Sequence, residues 1–166
     1  MARTIPIDPI LEKGYNVRLL VEDFDGLIEK WSNRSEKFRE TVDSSLDCQY
    51  GNGEKDKLDI FRCGKPNAPL FIFVHGGYWQ RGDKSVYSFV AESFVSSGID
   101  VALIGYQLCP SASMTNIVDK IREAVIWIWD NADDYAISKN RINVSGHSAG
   151  GHITGMILAT DWKEIS

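Results

Sequence analysis

In the second half of the chain, short continuous apolar runs alternate with stretches of helical periodicity, and this alternation restricts the fold more than any other feature. Leu70-Phe71-Ile72-Phe73-Val74 is followed by Val86, Phe89, Val90 and Phe94 at helical spacing, then Gly98, then Ile99 to Ile104. A second helix carries Ile117, Ile121, Val125, Ile128 and Trp129 on one face, with Ser113 or Thr115 as its cap. Arg141 to Ser145 reads as a further strand and Ala149 to Thr160 as a helix. Strands apolar throughout must be covered on both faces, which crossover helices do in a parallel sheet. The class is α/β, with a mostly parallel sheet and helices on both faces.

The first half reads differently. From Asp25, Leu27, Ile28, Trp31, Phe38 and Val42 recur at helical spacing, with Asp25 placed to cap the helix. Two short strands, Leu46 to Tyr50 and Leu58 to Arg62, flank Gly51-Asn52-Gly53, residues that tolerate the positive φ of a tight turn. The expectation is a helical extension over 1–44, a β-hairpin, and then the parallel units, all in one domain over 1–166.

Composition excludes several roles. A net charge of -5 without a block of like charge argues against nucleic-acid or anionic-membrane partners. The start, MARTIPIDPI, has no apolar signal core, and the longest apolar runs (Leu70 to Val74, Ala124 to Trp129) are too short to span a bilayer. A cytoplasmic protein acting on a small molecule is expected. Cys48, Cys63 and Cys109 are odd in number, with no CxxC, and read as reduced packed thiols. No metal and no cofactor is implied.

Two motifs carry chemistry. Gly146-His147-Ser148-Ala149-Gly150 fits the G-x-S-x-G nucleophile elbow, in which a sharp strand-to-helix turn presents a serine hydroxyl. Ser148 is the candidate nucleophile, and the Ala149 amide, at the positive end of the following helix, is a candidate oxyanion donor. The alternative is a glycine-rich helix start with a capping serine. His75-Gly76-Gly77-Tyr78-Trp79 follows directly on the strand Leu70 to Val74, the place of an oxyanion loop. Its donors would be the amides of Gly77 and Tyr78, with His75 holding the loop's shape rather than moving a proton. Tyr78 and Trp79 offer either a wall for a flat substrate or loop packing.

HGGYW, continuing as Gln80-Arg81-Gly82-Asp83-Lys84-Ser85, together with GHSAGGH, resembles the arylformamidase (kynurenine formamidase) group of α/β-hydrolases, close to the hormone-sensitive-lipase-like esterases. The resemblance runs from about Tyr15 to Trp162. It implies the N-terminal part of an α/β-hydrolase fold and hydrolysis of a formamide or ester, as of N-formyl-kynurenine in tryptophan catabolism. Ser148 would attack the formyl carbon while Gly77, Tyr78 and Ala149 hold the oxyanion. Gln107, in Tyr-Gln-Leu-Cys-Pro, departs from the group, where that position is commonly acidic.

A serine needs a base, and in α/β-hydrolases the acid and histidine follow the serine in the chain. Only His152 follows Ser148, inside the elbow helix, where it reads as a packing or capping residue; His147 is expected to point away from the serine. Asp161 and Glu164 read as helix-end residues. The triad is therefore incomplete over these residues, and the strand before Ser148 is expected to be an edge open to a second copy or to a complementing chain. The competing reading is a non-catalytic protein that binds a small molecule or pairs through that edge.

Overall fold

The computed structural model describes residues 6–165; residues 1–5 of the expected extension, and Ser166, lie outside the described residues. In chain order the elements are α1 (Pro9–Tyr15), α2 (Phe24–Thr41), β1 (Ser44–Gln49), β2 (Lys57–Phe61), β3 (Leu70–Val74), α3 (Ala91–Ser96), β4 (Asp100–Ile104), α4 (Met114–Asp130), β5 (Ile142–Gly146) and α5 (Ala149–Leu158). Short 3-10 turns cover Val17–Leu20, Lys84–Val90, Lys139–Arg141 and Trp162–Glu164.

One mixed sheet runs in the order β1-β2-β4-β3-β5. Its first two pairings are antiparallel, and β3 lies parallel to both β4 and β5. The α/β class holds, but the sheet is mixed rather than mostly parallel: its two parallel pairings are both made by β3, and β1 and β2 join it antiparallel. Among the described residues β5 stands at the edge of the sheet.

Alternation along each strand sorts the side chains into two cores. Leu58, Ile60, Ile72, Val74, Ala102 and Ile104 face α4 and α5, meeting Ile117, Ile121, Ala124, Ile128, Ile153 and Ile157. Phe61, Phe73, Val101 and Leu103 face the other way, onto Phe38, Val42, Tyr87, Val90, Ala91 and Phe94 from α2, the 84–90 turn and α3. Helices thus cover both faces, as continuous apolar strands require.

Local chemistry sets the element ends. Ser113 caps α4 through a reciprocal capping box with Asn116. α2 is capped by Asp23 in place of Asp25: the Asp23 carboxylate accepts from the Gly26 amide at 3.1 Å, and Asp25 pairs instead with Arg18 at 2.7 Å. Asp23 sits at φ 52, a left-handed conformation that Asp accepts more readily than most residues. The helix expected over 86–94 is divided into the 3-10 turn and α3, and ends at Gly98 with φ 86. The hairpin turn is longer than Gly51-Asn52-Gly53 alone; Asp56, fully buried, closes it by accepting from the Gly53 amide at 2.8 Å.

One charged cluster lies inside. Lys84 donates to Asp59 at 2.6 Å and to Asp47 at 2.7 Å, while Arg39 donates to the other Asp59 oxygen at 2.6 Å. Asp59 is fully buried on β2, Lys84 opens the 84–90 turn, and Arg39 comes from α2. Removing one partner of a buried ion pair strands the other, so Asp59→Asn should cost about 3–5 kcal/mol. Asp43→Asn, which breaks a pair with Arg62 near the surface, should cost under about 1 kcal/mol. Urea unfolding of both variants checks this; equal losses would show that the cluster is no anchor.

Candidate active site

Register brings the two motifs together. Val74 on β3 stands opposite Gly146 on β5, so the His75 loop and the serine turn leave the same end of adjacent parallel strands. The His147 amide donates back to the Val74 carbonyl at 3.2 Å, carrying the pairing one residue past the strand.

Ser148 sits at φ 55 and ψ -117, between β5 and α5. A non-glycine residue there is strained, and such strain persists only where the surroundings enforce it. Here they do so through the absence of side chains. A Cβ on Gly146 would overlap the backbone of Gly150 and come within 2.7 Å of the Thr154 hydroxyl. A Cβ on Gly150 would overlap the Val74 carbonyl and lie 2.7 Å from that of His75. Both glycines of G-x-S-x-G are therefore contact points between the turn, its helix and β3. Gly76 is a third: its Cβ would lie 2.6 Å from the His147 carbonyl and 3.1 Å from Ser148 Cβ. The arrangement is an elbow rather than a simple serine-capped helix start, because the Ser148 side chain makes no capping hydrogen bond.

Ser148, Gly77 and Tyr78 line one cavity of about 350 Å³. Ala149 is buried behind it as the first residue of α5, where backbone donors have no partner inside the helix. Gly77 takes φ 123 and Tyr78 φ 55, turning the loop sharply, and the Gly77 carbonyl accepts from the amides of Gln80 and Arg81 at 3.0 Å each. Trp79 does not join this lining; it packs on the core and meets His152 edge-to-face at 5.3 Å. Of the two aromatic residues, Tyr78 reaches the cavity and Trp79 braces the loop.

His75 is buried between two parallel rings, Tyr106 at 4.4 Å and Tyr87 at 5.7 Å. Its Nδ1 lies 2.8 Å from the Gly76 carbonyl, and the Tyr106 hydroxyl donates to the His75 carbonyl at 2.8 Å. Burial pushes its pKa below the ordinary value of 6.5, against the opposing effect of the Gly76 carbonyl. The loop after β4 holds the other side: the Cys109 amide donates to the Trp79 carbonyl at 2.7 Å. With its side-chain amide turned over, Gln107 would accept from the amides of Glu54 and Lys55, at 3.1 and 3.2 Å.

Among the described residues no histidine is hydrogen-bonded to the Ser148 hydroxyl. His152 points onto Trp79, as a packing residue does, and Asp161 caps the 162–164 turn by accepting from the Lys163 amide at 3.1 Å. His147 corrects an expectation: it is exposed and lines the same cavity as Ser148. Among the described residues no group of three or more His, Cys, Asp or Glu is placed to hold a metal ion, and no helix is long and apolar enough to cross a membrane.

The remaining cavity wall was not legible in the motifs. Tyr15, Val17, Arg18, Phe24, Ile28 and Trp31 come from the N-terminal helices, and Tyr87 from the turn after the His75 loop. The Tyr78 hydroxyl ties the two parts by donating to the Tyr15 carbonyl at 2.8 Å. Helical spacing in 25–42 marks a packed face but not what it packs against.

Fold and elbow together define an α/β-hydrolase. Pyrobaculum calidifontis esterase shares the fold, at a TM-score of 0.66 and 22% identity over 97% of this chain and 55% of that one. A putative thioesterase from Silicibacter sp. TM1040 is more similar, at a TM-score of 0.80 and 34% identity over 89% of this chain and 55% of that one. The BD-FAE family model matches residues 58–164, and the chain belongs to that family as an arylformamidase-like member. Kynurenine formamidase of Danio rerio is 33% identical over 78% of this chain and 44% of its own length. That of Drosophila melanogaster is 36% identical over 66% of this chain and 36% of its own. The chain thus spans less than half the length of these curated relatives.

His75 also sets a pH dependence. Because its folded pKa lies below 6.5, the unfolded chain binds the proton more readily, so stability is full above that value and falls as pH drops toward the folded pKa. The thermal midpoint should decline as pH falls below about 6.5, and His75→Phe, which keeps a ring between the tyrosines, should flatten that decline. An unchanged slope in the variant would assign the decline to other groups.

Proposed function

We propose that the chain is the front part of one hydrolase domain that cleaves carbon-nitrogen bonds of formamides or carboxylic ester bonds, with an aryl formamide such as N-formyl-kynurenine as the favoured substrate. The observation that carries this is Ser148 at its strained elbow, facing the same cavity as Gly77 and Tyr78. The substrate preference is supported by the kynurenine formamidases among the relatives and by the aromatic wall of Trp31, Tyr87 and Tyr78. Ester cleavage is supported by relatives such as the esterase LipC of Mycobacterium tuberculosis, 31% identical over 64% of this chain and 28% of its own length.

In this reading the Ser148 hydroxyl loses its proton to a base as Oγ bonds to the formyl carbon. The carbonyl π pair moves onto oxygen, and the amides of Gly77, Tyr78 and Ala149 receive the oxyanion. Each such donor is worth roughly 3 kcal/mol in the transition state. Collapse expels the protonated amine, and water then releases formate from the serine ester. The histidine base and its acid come from polypeptide outside residues 1–166, which accords with the share of the relatives' length that the chain spans. A small-molecule substrate is the partner this implies, acting in the cytoplasm in tryptophan catabolism.

The first test is the reading frame beyond Ser166 in the source transcript, where strands bearing an Asp or Glu and then a His are expected. The polypeptide it encodes should hydrolyse aryl formamides, and Ser148→Ala should lower turnover by about six orders of magnitude. A fluorophosphonate should label the wild type at Ser148 and leave Ser148→Ala unlabelled. A stop codon at that point, with ligand binding but no turnover, would favour the binding reading, to which the lack of a histidine on Ser148 among the described residues points.

A further inference from the structure

Four of the side chains that line the Ser148 cavity are ionisable groups of opposite sign or a neighbouring histidine: Glu12, Arg18, Arg81 and His147. Two of them are already engaged. Arg18 donates to Asp25 at 2.7 Å and lies over the Phe24 ring at 4.5 Å, while Glu12 accepts from the Asn16 side chain at 2.6 Å. Arg81 is different. Among the described residues its guanidinium has no carboxylate at ion-pair distance.

Its backbone, in contrast, is held firmly. The Arg81 amide donates to the Gly77 carbonyl at 3.0 Å, and its own carbonyl packs so closely on Gly77 that a Cβ there could not fit. Arg81 is thus fixed to the turn that presents the Gly77 and Tyr78 amides. Its side chain, exposed and, among the described residues, unpaired, lines the same cavity as Ser148. The facing wall is aromatic: Phe24, Trp31 and Tyr87 line the same cavity. An arginine fork beside flat apolar walls suits a planar group that ends in a carboxylate, which the fork can bind through two parallel hydrogen bonds.

We infer that Arg81 is a specificity-determining residue that selects aryl formamides or esters carrying a carboxylate, by pairing with that carboxylate while the aromatic part lies against Trp31 and Tyr87. This rests on the cavity being the substrate site proposed above. It names one residue and one charge on the substrate as the source of selection among otherwise similar acyl compounds.

Binding tests it without requiring turnover. Isothermal titration calorimetry reports occupancy without a chromophore in the cavity. The full chain, Arg81→Gln and Arg81→Lys would each be titrated with 2-formamidobenzoate and with its neutral methyl ester, folding being checked by circular dichroism. The wild type should bind the anion tighter than the ester by roughly threefold to tenfold, the range for a charge-assisted bond at a partly solvated site. Arg81→Gln should erase that preference and leave the ester's affinity unchanged, and Arg81→Lys should restore part of it. Equal affinities in the wild type, or a preference that survives Arg81→Gln, would overturn the role of Arg81 while leaving the cavity as the substrate site. Failure of both probes to bind the folded wild type would overturn both.

Discussion

Val74 and Gly146 face each other at the ends of two parallel strands, and both motif turns, that of His75 and that of Ser148, leave the sheet from that point. Parallel register is what makes this possible. Antiparallel neighbours would send the two loops to opposite ends of the sheet, whereas β3 and β5 deliver the His75 turn and the Ser148 turn side by side. Contact then becomes so close that Gly76, Gly146 and Gly150 have no room for a Cβ. The strained serine is a consequence: its turn is pinned by the His147 amide on Val74 and by the Gly150 backbone on β3.

The His75 loop is secured at both ends by different physics. At its start, aromatic stacking holds the buried His75 ring in place and the Tyr106 hydroxyl holds its backbone carbonyl. At its end, Asp83 accepts from the Ser85 amide at 3.1 Å and Lys84 enters the buried cluster with Asp59 and Asp47. Arg39 extends that cluster to α2, the helix that carries Phe24, Ile28 and Trp31 into the cavity. One buried carboxylate thus connects the loop, the hairpin and the cavity wall. Replacing it disturbs more than one element, because Arg39 would lose its carboxylate and Lys84 would keep only the exposed Asp47.

What the sequence made legible was whatever depends on local pattern. Leu70 to Val74 and the Ile117, Ile121, Ile128 face announced a covered sheet, and G-x-S-x-G announced its turn, because periodicity and glycine placement are properties of neighbouring residues. The α2 cap is Asp23 rather than Asp25 because the helix begins at Phe24, which puts Asp25 inside its first turn, where it pairs with Arg18. The cavity wall was not legible for a different reason. Tyr15 meets Tyr78 across a sequence separation of 63, and no local signal records that encounter. His147 shows the limit of motif geometry: its place beside Ser148 follows from how the elbow opens onto the cavity.

The same division bears on how a hydrolase of this kind could be assembled. The Ser148 turn, the His75 loop and the aromatic wall are fixed by contacts among the described residues, so none of them waits on another chain segment to take shape. Beside them, among the described residues, β5 stands at the sheet edge, flanked by a groove of about 560 Å³ lined by Val125, Trp129, Ile142, Val144, Ile157 and Leu158. An apolar edge of that sort is a liability until another strand pairs with it. Polypeptide that covered it would extend the sheet past the Ser148 strand and could carry a base to the same end of the sheet. Covering the edge and completing the chemistry would then be one event, since the pairing that buries Val144 would also fix the register of whatever approaches Ser148.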